Sequence, residues 1–227
     1  MHAEAIPLIR CSSLGKIMTN PTAAAAKAGE VLSVGAKTYI RRLVAEAIFG
    51  VEFEVTTKYT EKGTRCEQDS IDLLNHVRGL SLVKNTERRS NGLITGEPDL
   101  LNFPVRRGHD IKTPWSIATF PITEAECYDA DYEWQSRGYL ALWELDEWSV
   151  DYCLVNTPED LVGREPMAQH FVDHVPPHQR VTSWVIQRDA DKELAIAAKV
   201  LHARDYFAQV LAEFDRTHTL AREPVPA

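Results

Sequence analysis

No stretch of about eighteen apolar residues occurs in this chain, the length a membrane-spanning helix needs. The first residues, Met1-His2-Ala3-Glu4, lack the charged-then-apolar order of a signal peptide. The expectation is therefore a cytoplasmic protein with no membrane contact. Paired cysteines are missing too: Cys11, Cys66, Cys127 and Cys153 stand far apart with no CxxC, which argues against a zinc site. In a reducing compartment they remain thiols and read as small core residues. An excess of positive charge is also absent. A net charge of -8 has the wrong sign for a protein that coats nucleic acid, because such affinity comes largely from cations displacing counterions on phosphates. Any nucleic-acid contact must then be local. Arg41-Arg42, Arg88-Arg89 and Arg106-Arg107 are short basic groups able to line a groove, although each alone reads as solvated surface charge.

No linker-like stretch divides the 227 residues, and with 44% apolar content they can close one substantial core, so a single domain over 1–227 is expected. Ser12 or Ser13 is placed to cap a short helix through Leu14, Ile17 and Met18. Asn20-Pro21 and the run Ala23 to Ala26 then read as a mobile connection. Apolar residues at helical spacing predict a helix from Ser33 to Ile48, ended by Gly50, and a second from about Glu61 to Val77, ended by Gly79. Glu67 precedes Ile71 and Leu74 by four and seven residues, so it shares their inward face. Leu80–Lys84, Gly92–Thr95, Asp99–Phe103 and His109–Lys112 read as short strands. A helix from about Asp131 to Leu145, strands at Trp148–Val155 and Val181–Gln187, and a final helix over about 189–219 follow. The last helix carries an apolar stripe through Leu194, Ala197, Val200, Leu201, Phe207, Val210, Leu211 and Phe214, read mostly as core with its far end suited to a subunit interface. The fold class is α/β, a central mixed β-sheet flanked by α-helices.

Chemistry concentrates at Glu97-Pro98-Asp99 and, eleven residues after Asp99, at Asp110-Ile111-Lys112. Residues two apart on a strand share a face, so Asp110 and Lys112 project together while Ile111 packs behind them and leaves its carbonyl free for the same site. Asp99, arriving by the Pro98 turn, can set its carboxylate beside Asp110. Two carboxylates, a carbonyl and waters suit a hard divalent cation such as magnesium, and carboxylates so close call for a cation in any case. Such an ion would polarise a scissile phosphate, with Lys112 orienting or helping to deprotonate a water or stabilising the transition state. Glu67 would complete the ligand shell. Gln135, with Tyr139 one turn on, could hydrogen-bond the lysine, the water or the DNA backbone. A proline-acid pair or an acid-x-lysine triplet alone arises by chance; a helix acid, a turn acid, a strand acid with lysine and a later helix glutamine in this order is far more specific.

In these segments the chain resembles the PD-(D/E)XK nuclease superfamily and, within it, the phage-type alkaline exonucleases related to lambda exonuclease and the YqaJ viral recombinases. The matching stretches are Arg10 to Met18, Gly35 to Phe49, Gly63 to Glu67, Gly96 to Asp99, Asp110 to Pro114 and Gln135 to Tyr139, which together cover most of residues 8–145. The resemblance implies a restriction-endonuclease-like core and a magnesium-dependent exonuclease, with manganese as a possible substitute. It would degrade one strand of linear double-stranded DNA 5′ to 3′ and leave 3′ tails for recombination. It further implies a homotrimer threaded by DNA, a single-strand annealing protein as partner, and work in a bacterial or phage-infected cell. By motif, Glu67, Asp99, Asp110 and Lys112 become the active-site residues, Ile111 gives its carbonyl to the metal, and Gln135 supports them. Arg10, Ser12 and Ser13 match the segment that contacts the terminal 5′ phosphate, and Arg137 falls in the last matching stretch as a further DNA contact. Asp110 stands where many relatives have glutamate; the superfamily pattern accepts either acid. The iron-sulfur branch is excluded by the isolation of Cys127 and Cys153. A restriction-like endonuclease and a non-catalytic DNA-binding module remain the competing readings.

Overall fold

The structure, a computed structural model, describes residues 7–53 and 56–219; the reading of Met1 to Glu4 lies outside them. Strand β1 (Ile9–Arg10) leads through a 3-10 turn into helix α1 (Leu14–Met18). Ser13 occupies the N-cap position of α1 but its side chain accepts no capping hydrogen bond, so neither serine serves the cap expected of it. The alanine run is not a loose connection but helix α2 (Ala23–Lys27), capped by Thr22. Helix α3 (Val34–Phe49) is bounded as its sequence requires, with Ser33 accepting from Ala36 N–H and Gly50 in the left-handed conformation at φ 64°.

The single helix expected after residue 61 is two. Helix α4 (Lys58–Arg65) opens on a Thr57/Thr60 capping box, and α5 (Glu67–Arg78) begins after Cys66, whose φ of -106° and ψ of 12° turn the axis. The Cys66 thiol packs there into a second apolar cluster with Ile71, Leu74, Leu100 and Cys153. Leu80–Lys84 forms no strand. Its backbone is taken up by a side chain: Leu82 N–H donates to Asn75 Oδ1 at 3.0 Å, and Asn75 Nδ2 donates to the Leu82 carbonyl at 2.8 Å.

Strands β2 (Arg89–Ser90) and β3 (Ile94–Gly96) join β1 in a small sheet of order β1-β3-β2. Strand β4 (Leu100–Asn102) and β5 (Arg107–Lys112) start the main sheet, helix α6 (Ala130–Trp143) crosses over it, and β6 (Glu147–Cys153) returns parallel to β5. After α7 (Glu159–Val162), in a proline-rich stretch of short 3-10 turns, β7 (Val181–Gln187) completes the order β4-β5-β6-β7. Because β5-β6 is parallel and its flanking pairs antiparallel, the sheet is mixed as expected. Helix α6 covers one face with α1, α3 and α8 (Ala190–His218), and α5 covers the other.

Strand alternation assigns the faces of β5. Gly108 and Asp110 look toward α6, and a side chain at Gly108 would meet the Trp148 ring at 2.1 Å. His109 and Ile111 look the other way, His109 Nδ1 lying 2.8 Å from Asp151 Oδ2. The buried face of α8 departs from the predicted stripe: Ile196, Lys199, Val200, Ala203 and Phe207 point inward, whereas Leu194 and Leu201 are 68% and 51% exposed. Lys199 explains part of the shift, since its ammonium donates to the Thr19 carbonyl at 2.7 Å beyond the end of α1. All four cysteines are buried thiols, as their spacing suggested. No helix among the described residues is long and apolar enough to cross a membrane.

Candidate active site

The acids meet where β4 ends beside β5. The register Leu100↔His109 continues to place Asp99 opposite Asp110, one residue past the ladder. Gly96 lets the Glu97-Pro98 turn lie against α6: a Cβ there would sit 2.5 Å from the Tyr139 ring, and the Tyr139 hydroxyl donates to the Glu97 carbonyl at 3.3 Å. Asp99 Oδ2 accepts the Ile111 N–H at 2.6 Å. On a strand a residue's N–H and C=O face one edge, so the Ile111 carbonyl is directed to that same open edge.

Asp110 is buried and held from two sides. Gln135 Nε2 on α6 donates to its Oδ1 at 2.9 Å, and the Lys112 ammonium lies 2.7 Å from its Oδ2, which receives no directed hydrogen bond. Lys112 also lies 3.9 Å above the Tyr132 ring, three residues before Gln135 on α6. Glu67, the first residue of α5, pairs with the ammonium of Lys84. These side chains line a cavity of about 670 Å³ that also takes in Tyr59, Trp115 and Thr64.

Burial, reinforced by Asp110 and only partly relieved by the Ile111 N–H and Lys112, pushes the Asp99 carboxyl up to about 7. Burial would pull Lys112 down, but Asp110, then Tyr132 and Asp99, leave it above the usual lysine value, so it is an ammonium. Lys84 is likewise raised, chiefly by its hydrogen bond to Glu67, with Asp99 and Glu97 adding.

These residues fit a hard divalent cation. Two crowded carboxylates, one with an oxygen that receives no directed hydrogen bond and lies against the Lys112 ammonium, face the edge to which a backbone carbonyl is directed. Glu67 lines the same cavity and adds to the upward push on Asp99, although among the described residues no three acidic, histidine or cysteine side chains are grouped to hold an ion.

A second cavity, of about 1090 Å³, adjoins the first and shares the wall of Thr60 and Thr64 with it. Arg10, Ser12, Ser13, Lys16 and Arg42 line it. Arg10 is paired with Glu52 at 2.9 Å and Arg42 with Glu46 at 3.0 Å. Arg137 lines neither cavity; its guanidinium lies 2.7 Å from Glu133, with a bond to the Gln187 carbonyl at 3.4 Å. The remaining basic doublets are neutralised in place, Arg88 by Glu97, Arg89 by Glu87, Arg106 by Asp146 and Arg107 by Glu147.

Three contributors escaped the sequence reading. Tyr132 shares Gln135's helical face at i-3 and was in principle legible. Lys84 sat in a misread strand. Lys62 is wholly buried inside an otherwise polar turn of α4, where it donates to the carbonyls of Pro114 at 2.6 Å, Trp115 at 3.1 Å and Val155 at 3.1 Å. That clasp fixes the chain leaving Lys112, and burial lowers the Lys62 pKa to about 8.

No family model matches the sequence, and no curated protein does. Among solved structures, a phage-related exonuclease from Haemophilus somnus superposes with a TM-score of 0.85 at 34% identity over 92% of this chain and 96% of that one. The alkaline exonuclease LHK-Exo from Laribacter hongkongensis superposes with a TM-score of 0.65 at 13% identity over 92% of each chain. Its complex with dAMP superposes with 0.64 at 14% identity. At that identity LHK-Exo shows a common fold.

Proposed function

Because this chain belongs to the phage-type alkaline exonucleases of the PD-(D/E)XK superfamily, and is thereby a deoxyribonuclease, we propose that it is a metal-dependent 5′ to 3′ exonuclease of linear duplex DNA. The observation that carries this reading is the single cluster of Asp99, Asp110, Lys112 and Gln135, with the cavity of Arg10, Ser12 and Ser13 next door.

Asp99, Asp110 and the Ile111 carbonyl would hold the cation, with Glu67 as the remaining acid of the set. A divalent ion, magnesium or manganese in its place, supplies Lewis-acid polarisation of the scissile phosphate when bound. Lys112, whose pKa is raised against burial by Asp110, Tyr132 and Asp99 in the metal-free protein, orients the attacking water and offsets charge developing on the phosphate. Gln135 fixes the rotation of Asp110, and Tyr132 limits the sweep of Lys112. Arg10, Ser12 and Ser13 receive the terminal 5′ phosphate across the Thr60–Thr64 wall, which sets the cut close to the end. Residues 1–227 act as one nuclease domain. Three copies encircle the duplex in the cytoplasm of a bacterial or phage-infected cell, and the resulting 3′ tails pass to a single-strand annealing protein.

The test is digestion of a linear duplex labelled separately at each end, with closed circular DNA alongside, in magnesium and in chelator. Loss of label from 5′ ends of linear DNA only, abolished by chelator, supports the proposal. Cuts in the circle would make the protein an endonuclease, and DNA binding without metal-dependent turnover would make it a binding module.

A further inference from the structure

Lys84 lies on the irregular segment that Asn75 pins beside α5, and its ammonium reaches across the mouth of the cavity to Glu67. The lysine side chain is 47% exposed and the glutamate 26%, so the pair is solvent-screened and easily broken. While it persists, an oxygen of Glu67 is committed to the ammonium, and among the described residues no three acids are grouped to hold an ion although Glu67, Asp99 and Asp110 line one cavity. An ammonium on a flexible four-carbon stem is a monovalent cation that can enter and leave a carboxylate site without moving the backbone.

We propose that Lys84 is a built-in competitor for the metal: its ammonium neutralises Glu67 in the ion-free site and must be displaced before Glu67 can turn to the cation beside Asp99 and Asp110. This rests on the reading of those acids as the metal site. The competition weakens ion binding in the absence of DNA. Once displaced, the ammonium stays at the cavity mouth, where a phosphodiester can take the place of Glu67 as its partner. Loading of the third acid is thereby linked to arrival of substrate.

Calorimetric titration of the full chain with Mn2+ alone, without DNA, tests this. Lys84→Met and Lys84→Gln should each bind Mn2+ about 3–10-fold more tightly than the unsubstituted protein. The gain should fall below about twofold when Glu67→Gln is already present. Unchanged or weaker binding in both Lys84 variants, with native circular dichroism, overturns the proposal, as does a gain that survives in full in the Glu67→Gln background. Asp110→Asn is the control for the underlying site. If it binds Mn2+ as well as the unsubstituted protein does, the metal-site reading itself fails and this proposal with it. If it loses Mn2+ while the Lys84 variants show no gain, only the role of Lys84 is wrong.

Discussion

The Asp99 carboxylate accepts the backbone N–H of Ile111 at 2.6 Å, which joins the turn acid to the very strand that carries its partner acid. This bond lowers the Asp99 pKa, yet burial and Asp110 outweigh it and leave the carboxyl at about 7. A folded-state value above the unfolded one, about 4, means that the group's contribution to stability is full below about pH 4 and is lost as pH climbs through about 7. Asn at this position retains an acceptor for Ile111 and carries no charge. Asp99→Asn should therefore stabilise the metal-free protein at pH 8 by about 1–3 kcal/mol, and by much less at pH 5. Thermal melting in chelator at both pH values measures this; equal shifts at the two would show that the cost of ionising buried Asp99 beside Asp110 is not the cause.

Lys112→Ala should lower the single-turnover cleavage rate by about 10²–10³-fold with little change in the circular dichroism of the folded protein. Metal binding by this variant should persist, since both carboxylates remain. Loss of the fold would instead mean that Lys112 acts mainly as the counter-charge of buried Asp110.

Gln135→Leu removes the donor to Asp110 Oδ1 and leaves that carboxylate free to rotate. Divalent-ion affinity should weaken about 10-fold, measurable by calorimetry without DNA, while Arg137→Ala on the same helix should leave it unchanged. Equal effects of the two would point to general damage to α6.

Arg10→Ala should slow digestion of 5′-phosphorylated duplex by about 10-fold and barely affect a 5′-hydroxyl duplex. Initial rates on the two substrates give the ratio. A uniform loss on both would assign Arg10 to holding the segment near Glu52.

Legibility in the sequence followed the range of the interactions involved. Asp110 and Lys112 were readable as a pair because strand alternation alone puts them on one side, and α3 because Ser33 and Gly50 mark its ends locally. The Leu80–Lys84 strand was misread because its backbone partner is the side chain of Asn75, which periodicity does not register. Lys62 was illegible for a similar reason. Its three acceptors come from segments 52, 53 and 93 residues away, so a lysine on a polar helical turn gave no sign of burial. Leu194 and Leu201 were assigned inward by spacing, but Lys199 occupies the inward face with its own acceptors.

The contacts among the acids, Lys84 and Gln135 are short in chain terms. Asp99 reaches Ile111 across 12 residues, Glu67 meets Lys84 across 17, and Gln135 reaches Asp110 across 25. The tie from α8 to the end of α1, Lys199 to Thr19, spans 180. Closing short loops costs less entropy and precedes long-range pairing in folding. The segment from Glu67 to Gln135 is thus expected to form before the terminal helix docks. In refolding, protection of the Ile111 amide from hydrogen exchange should rise ahead of the docking of α8.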